Sequence, residues 1–157
     1  MVATPQLIKE STLTTANSSP EDAPIDEDAW LAVVNANRGR LVQAAHAFEQ
    51  WSQMYQLARD SGDARMQIYA IANIQSAFVS EGSYAVAIDC GRFMVQLARA
   101  CGDQLSEGHA LIGLGWSFWG LGNHPEASRI AQLGLDLADA ITDVPFPHFF
   151  EGPETIR

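Results

Sequence analysis

The sequence predicts an all-α protein made of stacked helix pairs, and three observations carry that expectation. First, the chain repeats itself. Leu57-Ala58-Arg59-Asp60-Ser61-Gly62-Asp63 returns forty residues later as Leu97-Ala98-Arg99-Ala100-Cys101-Gly102-Asp103, and more loosely as Leu137-Ala138-Asp139-Ala140-Ile141-Thr142-Asp143. Second, Ala47, Ala87 and Ala127 keep the same step, as do Gly82 and Gly122. Third, apolar residues between these marks recur at helical spacing, and no β-hairpin signal occurs anywhere.

Each unit reads as two helices. The first unit, 25–63, has one helix over about 25–40 and a second over 42–60. Asp26, Glu27 and Asp28 complement the positive N-terminal end of the first. The second unit, 64–103, opens on residues 64–81, where Ile68, Ile71, Ile74 and Phe78 make one stripe. Gly82 provides a left-handed helix stop. Residues 84–100 follow, with Ala87, Ile88, Gly91, Met94, Val95 and Ala98 on the apolar side. Gly102 turns the chain and Asp103 suits the cap of the next helix. The third unit, 104–143, repeats the plan with helices over 104–121 and 125–140, Gly122-Asn123 as the break and Pro125 at a first helical position. Ala47, Ala87 and Ala127 are expected where the second helix of each pair crosses the first, because a larger side chain there would separate the pair.

The chain has 157 residues, enough for one domain with a continuous core, and 47% of them are apolar. Its net charge of −10 divides into −5 over residues 1–37, +1 over 38–99 and −6 over 100–157. That balance repels phosphate backbones, so no nucleic-acid partner is expected. No run approaches the roughly 20 apolar residues of a membrane span, so no membrane insertion is expected either. Residues 1–24 have no apolar block of signal-peptide length and no arginine, which points to a cytoplasmic protein. Cys90 and Cys101, eleven residues apart, are too distant on one helix for a disulfide and read as small buried hydrophobes. Lys9 is the single lysine and every other cation is arginine, a bias the sequence alone does not explain.

With these residues placed, the chain resembles tetratricopeptide repeats, in the variant of about forty residues per unit with a Gly-Asp junction. The third unit carries the resemblance best, through Leu111, Leu114, Gly115, Phe118, Gly122 and Ala127. The second keeps Ile71, Ile74, Phe78, Gly82, Tyr84 and Ala87 but has Gln75 where the family has glycine. The first keeps Leu31, Val34 and Ala47, while Asn35, Arg38 and Val42 depart from the pattern. The resemblance implies a right-handed α-solenoid of about three antiparallel helix pairs, over roughly residues 25–143. It also implies that the first helix of each pair lines a concave groove.

Carried over residue by residue, that groove would present Ala29, Ala32, Ala36 and Arg40 from the first unit. The second would contribute Tyr69, Ala72, Asn73, Ser76 and Ser80, and the third His109, Ile112, Gly113, Trp116 and Trp119. Ala32 and Ala36 replace the polar positions of the family's carboxylate clamp, and only Asn73 fits, so a chaperone-type clamp is not expected. Trp116 and Trp119 are three apart and share a helical face, where they serve either as a partner anchor or as core. Trp30 and Trp51 read as core.

No phosphate loop, metal-ligand pair or nucleophile constellation is present, and His46, His109, His124 and His148 are scattered, so neither catalysis nor a cofactor or metal is expected. Asn17-Ser18-Ser19 matches a glycosylation acceptor and carries nothing without a secretory signal. Residues 1–24, rich in Ser, Thr, Pro and acids, read as a disordered tail. In 144–157, Phe146, Phe149 and Phe150 lie among prolines, a pattern suited to capping the last helix pair or to contacting a partner or a second copy. The function expected is a small adaptor or assembly factor that binds a short apolar or aromatic segment of another protein. Tyr69, Ser76, Ile112, Trp116 and Trp119 would supply contact, and Arg40, Asn73 and His109 orientation. A structural subunit of a larger complex and a peptide- or small-ligand-sensing regulator are the alternatives.

Overall fold

A computed structural model describes residues 19–141; the first 18 residues and 142–157, with Phe146, Phe149 and Phe150 among them, lie outside the described residues. Among the described residues six α-helices occur in chain order: α1 (Glu27–Asn37), α2 (Ala45–Ser61), α3 (Ala64–Ser80), α4 (Tyr84–Ala100), α5 (Gln104–Gly120) and α6 (His124–Asp139). Among the described residues there is no strand, so the molecule is all-α as expected. From α2 onward each helix packs on the next in sequence. Among the described residues no helix is long and apolar enough to cross a membrane.

The turns explain that regularity. Gly62, Gly82, Gly102 and Gly122 fall twenty residues apart, each at positive φ (73°, 75°, 68° and 89°), where a Cβ would be strained. Each turn carries the same two hydrogen bonds. At the α3–α4 turn Gly82 N–H donates to the Val79 carbonyl (3.0 Å) and Ser83 N–H to that of Phe78 (2.8 Å), a Schellman stop. At three of the four turns the residue after the glycine then caps the next helix with its side chain. Asp63 Oδ1 accepts from Met66 N–H (3.0 Å), Asp103 Oδ1 from Ser106 N–H (3.1 Å) and Asn123 Oδ1 from Glu126 N–H (3.4 Å). Stop and start thus share one residue, and such short connections keep neighbouring helices antiparallel.

The core runs through α2–α5 and into α6, with Phe48, Ile71, Ile74, Phe78, Met94, Val95, Leu114 and Ile130 buried. Each contributes about 1.5–3 kcal/mol relative to exposure. Where α5 crosses α6 the backbones nearly touch. A Cβ on Gly115 would meet the Ala127 carbonyl at 3.0 Å, and one on Gly134 would meet the Gly108 carbonyl at 2.8 Å. Gln75 fills a second close site among α3, α4 and α5. Its Nε2 donates to the Ala87 carbonyl (3.0 Å) and to Ser117 Oγ (3.1 Å), and Gly91 and Gly113 leave room for its amide. A buried amide can replace the expected glycine because its donors are met by two neighbours.

The first unit departs from the expected plan. α1 packs chiefly on α4 rather than pairing with α2. The helix expected over 25–40 is shorter, ending at Asn37 in a 3-10 turn over Arg38–Arg40. Ala47 consequently has no partner helix to cross and is exposed, whereas Ala87 and Ala127 are buried. Phe48 takes the buried place at the start of α2. Ala44 at the α2 N-cap has no capping side chain, and Glu81 supplies the acceptor from the end of α3. Glu81 Oε1 receives the N–H groups of Val42 (3.2 Å), Gln43 (2.6 Å) and Ala44 (2.9 Å). These bonds, the one from Ala44 foremost, hold its carboxyl below the usual range.

The expected boundary at residue 24 also moves. Residues 19–24 are packed: Pro20–Asp22 form a 3-10 turn against α4, and Glu21 is buried. Here the arginine bias finds its reason. Arg129 grips Glu21 with both terminal nitrogens (Nη1 to Oε1, 2.9 Å) and also contacts Glu126. Arg99 joins Asp22 (2.6 Å) to Glu107 (2.6 Å), and Arg92 joins the Pro20 carbonyl (2.8 Å) to Asp89 (3.3 Å). A guanidinium can bridge two acceptors in fixed geometry, which the compact ammonium of lysine does less well.

The cysteines divide. Cys90 is fully buried beneath Trp30, whose indole N–H donates to its sulfur (3.3 Å), and burial pushes its thiol up to about 12. Cys101 closes the C-terminus of α4 and is exposed, against the buried reading of the sequence, because the helix stops one residue before it.

Candidate functional site

The site is built on α3 and α5, which also touch one another. Helical spacing separates their two faces. On α3 the stripe Ile68, Ile71, Ile74 and Phe78 is buried, so Tyr69, Ala72, Asn73, Ser76 and Ser80 fall on the partly or fully exposed side. On α5, burial of Leu111, Leu114 and Phe118 leaves His109, Ile112, Gly113, Trp116 and Trp119 on the corresponding side.

The two tryptophans dominate this face. Trp116 is 62% exposed and Trp119 57%, unusual for side chains of that size. Their rings meet edge to face, with centroids 5.9 Å apart and planes at 74°. Trp119 also lies 5.8 Å from the ring of His124, and Leu121 beside it is 54% exposed. Neither Leu121 nor His124 stands out in the sequence. The Gly122 turn folds the start of α6 back beside the end of α5, and that reversal was the available signal for His124.

The polar residues do other work. Asn73 Nδ2 donates to the Tyr69 carbonyl (2.9 Å) and Ser76 Oγ to that of Ala72 (3.0 Å), so both satisfy their own helix. Tyr69 is partly buried with its ring edge-on to Trp51, centroids 5.2 Å apart. Gly113 makes room for Gln75 and Ile112 leans toward α6, where an added Cβ on Gly134 would meet its Cγ1 at 2.9 Å. Burial lowers the pKa of His109, with the Asp103 charge opposing. Arg40 sits on the 3-10 turn before α2, on neither of the two helices. Ala29, Ala32 and Ala36 belong to α1, on the other side of the chain's packing order, against α4.

A shallow open pocket lies elsewhere, lined by Arg99, Glu107, Leu111, Leu133, Asp136, Leu137 and Ala140. No group of three or more His, Cys, Asp or Glu side chains able to hold a metal occurs among the described residues. Comparison of the chain with protein-family models, with curated proteins and with solved structures finds no match.

Proposed function

We propose that this chain is a tetratricopeptide-like interaction module, a right-handed stack of helix pairs acting as a small adaptor or assembly factor. It binds a short apolar or aromatic segment of another protein against the α3–α5 face. The observation that carries this reading is the exposed, mutually contacting pair Trp116 and Trp119, flanked by Leu121. Large apolar side chains grouped in water favour a site that a partner dries, and tryptophan concentrates binding energy because it buries much area with few torsions to freeze. The repeat-like features that support the fold half of the reading are the twenty-residue spacing of left-handed glycines and the Gly115–Ala127 crossing.

Selection of peptides from a random display library tests it. Wild-type protein should enrich apolar and aromatic sequences, and the Trp116→Ala/Trp119→Ala variant should lose at least tenfold in affinity for them with unchanged helicity. The loss of one hot-spot residue alone is worth about 2 kcal/mol or more. Equal binding by both proteins would remove the α3–α5 face from consideration.

The uncovered edge of α2 favours a second reading, a structural subunit held in a permanent complex. On α2, Leu57 is 65% and Met54 37% exposed and Ala47 is uncovered, and Val42, three residues before the helix, is 79% exposed. A subunit of that kind would stay associated with copies of itself on dilution in light scattering, whereas an adaptor is monomeric alone.

A further inference from the structure

The segment from Ser19 to Asn37 stands outside the repeating lattice. α1 has eleven residues where α2 to α5 have seventeen, and it packs chiefly on α4 instead of its chain neighbour. The segment crosses three helices in turn, and charge marks each crossing. Glu21 meets Arg129 on α6, Asp22 meets Arg99 on α4, and Glu27 meets Arg59 on α2. Gln96 of α4 adds two backbone contacts, donating to the Ala23 carbonyl (3.1 Å) and accepting from Ile25 N–H (3.3 Å). Trp30 then enters a slot between Phe93 and Tyr55. Its ring stacks on the first and meets the second edge-on, both at 4.9 Å between centroids.

The latch and the anchor differ in kind. Arg59 and Arg99 remain 45% and 41% exposed, so salt screens their pairs with Glu27 and Asp22, whereas the Glu21 carboxylate, 4% exposed in the two-pronged grip of Arg129, is screened much less. Trp30 is fully buried, and it covers Cys90. The helices therefore already hold, in cis, an acidic segment with an indole anchor, on a face whose arginines and aromatic slot match those two features.

We propose that this arginine-and-aromatic face of α2, α4 and α6 is a second docking surface, that its ligand is an acidic segment carrying a tryptophan, and that residues 19–37 are its built-in, displaceable occupant. A partner segment competes by the same chemistry. Two carboxylates go to Arg129 and Arg99, one to Arg59, and an indole to the slot between Phe93 and Tyr55. The segment's own sequence supplies the probe, since it carries five carboxylates and Trp30.

Cys90 reports the opening, because it is buried and its sulfur accepts a hydrogen bond from the Trp30 indole N–H. In full-length protein with the exposed thiol removed (Cys101→Ser), maleimide labelling of Cys90 is followed as ionic strength rises. The Debye length falls from roughly 10 Å at 0.1 M to roughly 3 Å at 1 M. Labelling should accelerate while far-UV circular dichroism stays constant. Asp22→Asn/Glu27→Gln should label about tenfold faster at low salt, the equivalent of two lost surface ion pairs. A fluorescein-labelled synthetic peptide of residues 19–37 should bind this variant, protect Cys90, and fail to bind once Arg99→Glu and Arg129→Glu are added. Labelling that follows global unfolding regardless of salt and of the latch charges overturns the proposal. So does a peptide that leaves Cys90 unprotected. The salt titration needs no change to the latch residues, so a poorly folded variant does not shelter the idea.

Discussion

Gly134 shows how a single atom sets the spacing of two helices. On α6 it faces Gly108 of α5, and a methyl group there would sit 2.8 Å from the Gly108 carbonyl and 2.9 Å from Ile112 Cγ1. The first neighbour is backbone and cannot step aside, so Gly134→Ala should push the pair apart and destabilise the protein by about 1–3 kcal/mol, the usual cost of overpacking. Gly39 offers the control: nothing lies within 4 Å of its added Cβ and its backbone is outside the left-handed region. Gly39→Ala should be neutral or stabilising by about 0.4–1 kcal/mol, through the unfolded chain. Urea denaturation of both variants checks the contrast, and equal midpoints would mean that α5 and α6 do not approach as closely as described. The Gly115–Ala127 crossing was legible in the sequence because small residues return at a fixed interval. Gln75 was not. Its partners Ala87 and Ser117 are 12 and 42 residues away, and nothing local announces a satisfied amide in place of a glycine.

At the scale of the element, the helices from α2 onward were readable for a physical reason: α2, α3, α4 and α5 each end on a glycine in the left-handed region, and three of the four following residues cap the next helix with a side chain. The same logic explains where reading stopped. The start of α2 has no local cap, and its acceptor, Glu81, comes from 37 to 39 residues further along. That long-range cap carries a pH signature. The three N–H bonds depress the Glu81 carboxyl below its ordinary value of 4.5 in the folded state. A depressed carboxyl contributes stability that is present above the unfolded value and is lost as pH falls through the folded one. Wild type should therefore lose stability below about pH 5 more steeply than Glu81→Gln, while near pH 7 the variant should be the less stable of the two. Thermal melts over pH 3–7 decide the matter, and parallel curves would show that the three bonds to Glu81 add nothing to folding. Trp116 and Trp119 were legible as a pair sharing one face; that their face is the open one depended on which stripe of α5 the core takes.

The whole molecule is more than a row of helices, and this was the least legible level. In a stack where each helix meets only its neighbours, stability propagates step by step and distant units are nearly independent. The segment 19–37 breaks that rule by tying α2, α4 and α6 together. Residues 19–24 escaped the sequence because their charges and prolines resemble those of an unstructured tail; a helix from residue 25 and a core Trp30 were expected, but not the packing on α4, and the arginine partners of the segment's acids lie 32 to 108 residues away. Trp30 is the centre of the tie, touching Tyr55 of α2, and Phe93 and Cys90 of α4. Trp30→Ala should cost about 3–5 kcal/mol, as for other large buried aromatics. The distribution of that loss is the sharper prediction. The α5–α6 crossing is made by Gly108, Gly115, Ala127 and Gly134 and owes nothing directly to Trp30. Hydrogen exchange in the Trp30→Ala variant should therefore accelerate around Tyr55 in α2 and Phe93 in α4, with smaller changes across α5 and α6. A uniform loss of protection along the chain would instead mean that the helices fold as one indivisible unit, with the strap only one of many contributors to it.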